Sequence, residues 1–246
     1  IYNNVKDFYL ILIIIFSFFV TFLSGERVAV FYVTTFLIYY IFFISPNIKS
    51  KLILVFSSLS IISVLFLFFE KIRYRIISTT LNDLSINLSS FGFSEHLNIF
   101  YSLALRLFLD FPFLGAGPKN FRIFCEFEKY NLNIAESCST HPHNTYIQLL
   151  SETGFIGFLF IFSLFLFISY LFIKSHFNNE DKILKKYINF QKCILFGCLI
   201  SLYPLVPTGN FFNSWLSTIY YLPFAFLFVS NNIIQQGRKN GKIIKQ

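Results

Sequence analysis

The chain has 246 residues, of which 55% are hydrophobic, 21% are aromatic and 13% are charged. About a quarter of the residues in a soluble globular domain are charged, so this composition excludes that class and indicates an integral membrane protein. The formal net charge is +8, but the basic residues are spread along the chain in short segments between apolar runs. That distribution is typical of membrane topology, and we expect no nucleic-acid partner.

Six apolar runs are long enough, or nearly so, to cross about 30 Å of hydrocarbon. They occupy residues 8–24, 28–44, 52–69, 154–173, roughly 190–207 and 211–229. The sequence therefore predicts an all-α, polytopic transmembrane bundle of about six spans. The chain does not begin with methionine, so we also expect further residues on its N-terminal side.

The segment 70–153 is by far the longest connection between predicted spans, and long insertions tend to carry function. If it lies outside, the inside segments carry twelve lysines and arginines, whereas the short outside loops carry only Arg27. The positive-inside rule favours this orientation. We expect three spans in 1–69, a large helical periplasmic loop at 70–153, three spans in 154–230 and a basic cytoplasmic tail at 231–246. In a bacterium, the large loop would then face the periplasm and the membrane would be the inner membrane.

Two elements are predicted in the first half of this loop. Apolar residues recur at helical spacing, which predicts an amphipathic helix at the membrane surface or capping the bundle, and Phe111-Pro112 should end it. A glycine turn follows at 114–121, and Pro118 is expected to open another short helix with amides that point into the lumen. The apolar face comprises Leu97, Phe100, Tyr101, Ala104, Leu105 and Phe108.

The stretch CSTHPHNTYIQLLSETGFIG, which begins at Cys138, is a polar turn that contains two of the four histidines. Thr145 and Gln148 fit the S/T-x-x-E/Q capping pattern, which predicts a short helix from Thr145 and a junction at Gly154 into the next span. His143 would then precede a helix N-terminus. The positive end of a helix disfavours imidazolium, so we expect a lowered pKa for His143.

Three interpretations of His141 and His143 are open: an exposed polar turn, a metal pair, or acid/base groups. Two histidines at i and i+2 make a poor zinc site without further ligands at convincing spacing, so we expect no metal cofactor. A general base at His143 is favoured, with Glu136 or Glu152 as the orienting carboxylate. A nucleophilic pair with Ser139 is conceivable, but no nucleophile elbow is present.

Several basic residues are candidates for binding an anion. Arg27 lies in a very short predicted loop, where it is either a snorkelling or Glu26-paired side chain or a clamp for a lipid-linked phosphate. Lys119 and Arg122 follow the glycine turn, and they either add positive field near an anionic head group or are solvated loop charges. The turn lacks the second half of a P-loop, so nucleotide binding is not expected.

Cys125 and Cys138 both fall in the predicted outer loop, thirteen positions apart. An oxidising periplasm permits a disulfide between them, which would contribute roughly 3 kcal/mol by the loop-entropy estimate. Cys193 and Cys198 lie within a predicted span and are expected to be small apolar packing residues.

Two phrases of the outer loop, FLDFPFLGAGPKNFRIFC and CSTHPHNTYIQLLSETGFIG, resemble the signature region of bacterial O-antigen ligases and the related polymerases. The SGER loop that ends at Arg27 resembles the short S-G-x-R loop of that family, and the resemblance spans about residues 1–230. It implies a mostly helical, metal-independent glycosyltransferase of lipopolysaccharide biosynthesis. Such enzymes join a polysaccharide carried on undecaprenyl pyrophosphate to the sugar core of lipid A at the periplasmic face.

The resemblance also implies roles for individual residues. Arg27 matches the arginine placed against the pyrophosphate, and His143, in its pair with Asn144, matches the proposed base, which leaves His141 a supporting role. Many relatives carry a second arginine at the start of the amphipathic helix. That place reads Glu95-His96-Leu97 in this chain. The substitutes for the second arginine are His96, favoured by position, Arg122, favoured by chemistry, and Arg106.

In the implied reaction, the base deprotonates an acceptor hydroxyl as it attacks the anomeric carbon, and direct displacement inverts that centre. The nearest alternative is an O-antigen polymerase, which uses a second lipid-linked glycan as the acceptor. A transporter or flippase is the alternative of another class, and it would place ionisable residues at mid-membrane depth. The first four predicted spans carry no charge, which disfavours transport.

Overall fold

The computed structural model describes residues 2–45, 47–86, 94–130, 138–177 and 184–243. Within these ranges all regular elements are helices. The chain divides into two compact units, Ile1–Ser85 and Ile86–Gln246. The long segment predicted as one loop at 70–153 is thus shared between the units, because its first residues pack with the N-terminal helices.

The first unit is built from five helices in the described residues. They are α1 (Tyr2–Ser24), α2 (Arg27–Tyr39, continued by a π-helical turn at Tyr40–Ile44), α3 (Ile48–Phe68), α4 (Glu70–Arg73, continued by a π-helical turn at Tyr74–Ser78) and α5 (Thr79–Ile86). Helix α1 packs against α2 and α3, and Phe18, Leu37 and Leu54 fill the space between them. Large side chains point outward as well, with Phe42 exposed by 71% and Phe68 by 78%. Outward phenylalanines in such number are expected of helices that face lipid.

The second unit also contains five helices in the described residues. They are α6 (Glu95–Asp110), α7 (Phe121–Phe124), α8 (Thr145–Phe177), α9 (Lys185–Ser201) and α10 (Ser214–Ile243). Helix α9 packs against α8 and α10. Ile168, Leu195, Cys198 and Leu227 form the core between these three helices.

Three helical stretches among the described residues are long and apolar enough to cross a membrane. They are Arg27–Ile44, Ile48–Phe68 and Thr145–Phe177, and a shorter apolar helix covers Phe8–Ser24. The count of six spans stays a prediction. The last two predicted spans, at roughly 190–207 and 211–229, differ from the helices in the structure. Helix α9 already ends at Ser201, and α10 begins only at Ser214. Pro204 and Pro207 lie between them, where they lack the amide hydrogen that a continuing helix requires.

Helix α6 confirms the amphipathic period and ends at Asp110, directly before Phe111-Pro112. Its buried face is shifted around the helix from the predicted one, however, because Leu103 and Leu107 are fully buried, whereas Leu105, which was predicted on that face, is 38% exposed. The reason is that α6 packs against two partners, since Phe121 of α7 and Ile147 of α8 both contact its core. A pattern along one helix does not reveal a second partner that arrives from elsewhere in the chain.

The glycine turn at 114–121 differs from its prediction. Helix α7 begins at Phe121 after Asn120, so Pro118 does not open a helix. The turn amides also do not point into an open lumen. The amide of Ala116 donates to the Ser151 carbonyl and that of Gly117 donates to the Glu152 carbonyl, both at 2.9 Å. The turn therefore closes the end of a helical segment in α8.

Candidate active site

The histidine turn, residues 138–144, leads into α8. His143 has a left-handed backbone with φ of 58°, a conformation in which histidine is enriched among residues other than glycine. Its carbonyl accepts a hydrogen bond from the Thr208 amide at 2.8 Å. The turn is thereby fixed to the segment between α9 and α10.

Asn144 caps helix α8. Its Oδ1 accepts hydrogen bonds from the amides of Tyr146 at 2.9 Å and Ile147 at 3.1 Å, and its Nδ2 donates to the Pro204 carbonyl at 2.7 Å. The helix start and the position of His143 before it were predicted correctly. The predicted cap at Thr145 was wrong, because Asn144 lies one residue earlier and its amide oxygen already reaches both free amides of the first turn.

Thr145 and Gln148 have other partners than the capping box requires. The Thr145 hydroxyl lies 2.9 Å from the Thr208 hydroxyl. Gln148 is fully buried, and its Nε2 donates to Glu152 and to Asn210, each at 2.9 Å, while its Oε1 accepts from the Phe211 amide. This glutamine therefore ties the start of α8 to the segment before α10.

Glu152 is also fully buried, and its Oε1 accepts a hydrogen bond from the Phe121 amide at 2.9 Å. Its second oxygen accepts from Gln148. The carboxylate thus holds α7 rather than the imidazole of His143, which differs from the orienting role predicted for it. Glu136, the other predicted orienting carboxylate, lies outside the described residues.

A polar stripe that was not predicted consists of Asn144, Gln148 and Glu152. They recur every fourth residue on an otherwise apolar helix, and none is more than 4% exposed. Buried polar groups are retained when they are hydrogen-bonded. Asn144 and Gln148 bond to the connection between α9 and α10, and Glu152 bonds to the start of α7. The spacing of four was a readable signal, because it places three polar side chains on one helical face.

The two histidine rings lie against each other, with centroids 4.1 Å apart, and the Phe100 ring lies 5.6 Å from that of His143. The Ser139 Oγ is 3.3 Å from Nε2 of His143, and the Thr140 Oγ1 is 2.9 Å from Nδ1 of His141. Nε2 of His141 is buried and has no hydrogen-bond partner of good geometry among the described residues. The arrangement therefore offers two imidazoles and a hydroxyl within mutual reach.

Both imidazoles are held in the neutral form at neutral pH. Burial lowers the pKa of His143, and burial together with the nearby His143 lowers the pKa of His141 to about 4. The direction for His143 was predicted, but its cause is burial rather than the helix terminus. A neutral ring that remains partly exposed can accept a proton, and His143 is only partly buried whereas His141 is buried.

Arg27 is the first residue of α2 in the first unit, and its side chain is 40% exposed. Its Nη1 lies 2.6 Å from Oδ2 of Asp83. The alternative of a pair with Glu26 was wrong, because Glu26 bonds to Arg75 at 2.7 Å. Sequence reasoning missed Asp83 and Arg75, which are separated from their partners by 56 and 49 positions and carry no local signal.

The family model described as O-antigen ligase matches residues 12–162, which is more than half of the chain. The chain belongs to the O-antigen ligase family. Comparisons with curated protein sequences and with solved structures find no match. The matched range includes both the Arg27 loop and the histidine turn, and the family implies lipid-linked polysaccharides as substrates of this membrane protein.

The other basic residues expected to assist in an O-antigen ligase lie on the surface of the second unit. Lys119 is exposed and has a left-handed backbone with φ of 63°. Arg122 is exposed, and its Nε donates to the Lys119 carbonyl at 3.2 Å. His96 and Arg106 are exposed on α6. Their roles as substitutes for the second family arginine stay predictions.

The structure joins Cys125 and Cys138 as a disulfide, with Cα atoms 5.3 Å apart, which lies in the usual range. Cys125 is fully buried and Cys138 is exposed. Cys193 and Cys198 are free thiols in α9. Within the described ranges, no cluster of three or more histidine, cysteine, aspartate or glutamate side chains is arranged to hold a metal ion.

Proposed function

We propose that this O-antigen ligase family member transfers a polysaccharide from undecaprenyl pyrophosphate to the sugar core of lipid A, with His143 as the general base. The observation that carries the proposal is the neutral, partly buried imidazole of His143 on a turn fixed by the Thr208 amide. A base that works near neutral pH must be unprotonated before the acceptor arrives. The lowered pKa of His143 meets that requirement.

The proposed reaction is a direct displacement. The acceptor hydroxyl attacks the anomeric carbon, and His143 takes its proton as the new carbon–oxygen bond forms. The bond from that carbon to the pyrophosphate oxygen breaks, and the pyrophosphate leaves with the bonding electrons. Attack from the side opposite the leaving group inverts the anomeric centre. The activated leaving group makes a catalytic metal unnecessary in this scheme.

We propose that Arg27 stabilises the negative charge that develops on the pyrophosphate leaving group. A guanidinium has five N–H donors, and the pair with Asp83 uses Nη1, so donors remain for a phosphate oxygen. The pair also limits the orientations of a side chain that is 40% exposed. We propose His96, Lys119 and Arg122 as further positive contacts to the donor, and Asn144 as a residue that positions His143 through its cap.

The orientation is part of the proposal. The histidine turn faces the periplasm, the spans number about six, and the C-terminus is cytoplasmic. The support is the charge distribution, because Arg27 is the only basic residue in the predicted short outside loops. A cysteine-accessibility test with a membrane-impermeant thiol reagent on Ser102→Cys, an exposed position of α6, should label intact spheroplasts. Labelling only after permeabilisation would show that this segment faces the cytoplasm, which is the opposite orientation.

The function is tested with purified protein in vesicles, lipid-linked glycan as the donor and lipid A-core as the acceptor. His143→Ala should keep the protein folded and lower the transfer rate by about 100-fold or more, since a positioned base contributes 10² to 10⁴. His176→Ala is the matched control, because His176 lies near the end of α8 with its ring against Phe172. Transfer by His143→Ala at the wild-type rate would remove His143 from the chemistry.

The same assay separates a ligase from a polymerase. A second lipid-linked glycan is supplied in place of lipid A-core, with the donor unchanged. Extension of lipid A-core supports the proposal, and extension of the second lipid-linked glycan alone would make the protein a polymerase.

A further inference from the structure

The Cys125–Cys138 disulfide includes the first residue of the histidine turn, because Cys138 is directly followed by Ser139. Ser139 in turn lies within hydrogen-bond distance of His143, with 3.3 Å between Oγ and Nε2. Among the described residues, Ser139 is the only one whose side chain is hydrogen-bonded to the His143 ring. The disulfide therefore links Ser139 to the residues that hold Cys125 in place.

Cys125 is held firmly. It is fully buried in the core of α6, together with Leu103, Leu107 and Phe121. Its amide donates to the Phe121 carbonyl at 3.0 Å, so it directly continues α7. A connected path thus runs from the buried core through one covalent bond to the Ser139 backbone.

The start of α7 is fixed by α8. Glu152 accepts the hydrogen bond of the Phe121 amide at 2.9 Å, and Glu152 lies on the same helix that Asn144 caps. The histidine turn is consequently held at two places. The α8 cap fixes the backbone after His143, and the path through α7 and the disulfide fixes the backbone before Ser139.

We propose that Ser139 is a positioning residue for His143 and that the Cys125–Cys138 disulfide keeps it in place, an inference that rests on the proposed function. Nε2–H of the neutral ring donates to the Ser139 Oγ, which leaves the lone pair on Nδ1 to take the acceptor's proton. The hydrogen bond made by one ring nitrogen decides which tautomer is present, so the serine selects the reactive one. The serine forms no covalent bond with the glycan in this role.

The role predicts a specific pattern of kinetics. Ser139→Ala should lower kcat by about tenfold, well short of the loss in His143→Ala, because a misoriented base loses rate, and should leave the KM for the acceptor within about twofold. Ser139→Thr keeps a hydroxyl and should restore most of the rate. Ser102→Ala, on an exposed face of α6, is the matched control and should behave as wild type.

The link to the disulfide is tested by combining variants. Cys125→Ser with Cys138→Ser should lower kcat by a factor similar to that of Ser139→Ala, and the triple variant should be no slower than Ser139→Ala. Rates are normalised to the folded fraction, so loss of stability does not imitate the effect. Residues that act through one another give such non-additive effects, whereas independent ones add.

Four results would overturn the inference. One is free thiols at Cys125 and Cys138 in peptide mapping of the non-reduced protein. Another is Ser139→Ala at the wild-type rate. A third is that the two cysteine changes lower kcat by the same factor whether residue 139 is serine or alanine. The last is that Ser139→Ala lowers kcat as much as His143→Ala does. If wild-type protein transfers no glycan at all, the proposed function fails first, and that outcome is seen before any variant is compared.

Discussion

Gly154→Ala is expected to be among the most damaging single substitutions in the second unit. Gly154 has φ of 67° and ψ of −167°, a region that is essentially restricted to glycine and costs about 1 to 3 kcal/mol for other residues. A methyl group there would lie 2.6 Å from the Leu114 amide nitrogen and closer still to the Phe113 carbonyl. These neighbours are backbone atoms, so no side chain can move aside. Overpacking adds about 1 to 3 kcal/mol, which gives a total of roughly 4 kcal/mol.

The assay is thermal unfolding of the protein in detergent, with Gly197→Ala as the matched control. Gly197 lies within α9 with open space around it, so alanine there should stabilise the protein by about 0.5 to 1 kcal/mol. For a chain of this size, a loss of roughly 4 kcal/mol lowers Tm by about 10 °C. A Gly154→Ala variant that melts within about 2 °C of wild type would refute the reasoning, since the steric overlap would then be relieved without cost.

Two further substitutions test the anchoring and the protonation of the histidine turn. Asn144→Ala removes the cap of α8 and the bond to Pro204, and it should destabilise the protein by about 1 to 2 kcal/mol in the same melting assay, with Asn144→Ser recovering part of the loss. An equal Tm for Asn144→Ala and wild type would contradict the cap. His141 titrates at 6.5 when unfolded and at about 4 when folded, so the unfolded chain binds more protons between these values. The contribution of neutral His141 to the free energy of unfolding is fully present above pH 6.5. It falls as the pH drops towards 4, by up to roughly 3 kcal/mol. His141→Asn should flatten that dependence, and an unchanged slope would contradict the assignment.

The elements that the sequence predicted well are those determined by local pattern. The apolar runs that became α2 and α3, the helical period of α6 and the stop at Phe111-Pro112 all depend on neighbouring residues. The junction at Gly154 was also predicted, because glycine marks a backbone that leaves the helix.

The features that were missed depend on distant partners. Arg27 meets Asp83 across 56 positions, and Gln148 meets Asn210 across 62. The shifted buried face of α6 reflects α7, a helix of four residues that is too short to produce a period of its own. Local patterns therefore predicted where the histidine turn lies along the chain, but not which residues hold it there.

The polar stripe of Asn144, Gln148 and Glu152 explains how an apolar helix can fix the histidine turn. Asn144 and Gln148 bond to the connection between α9 and α10, and Glu152 bonds to the start of α7, so the loss of any one would leave a partly or fully buried partner unpaired. An unpaired buried polar group costs about 1 to 3 kcal/mol, whereas apolar packing tolerates small displacements at little cost. Hydrogen bonds are directional, so the stripe determines one arrangement of α7 and the segment before α10 around α8. A base that must be held within about an ångström of its substrate benefits from directional contacts of this kind. The burial that makes them strong also lowers the pKa of His143, so one feature of the fold both orients the proposed base and keeps it unprotonated.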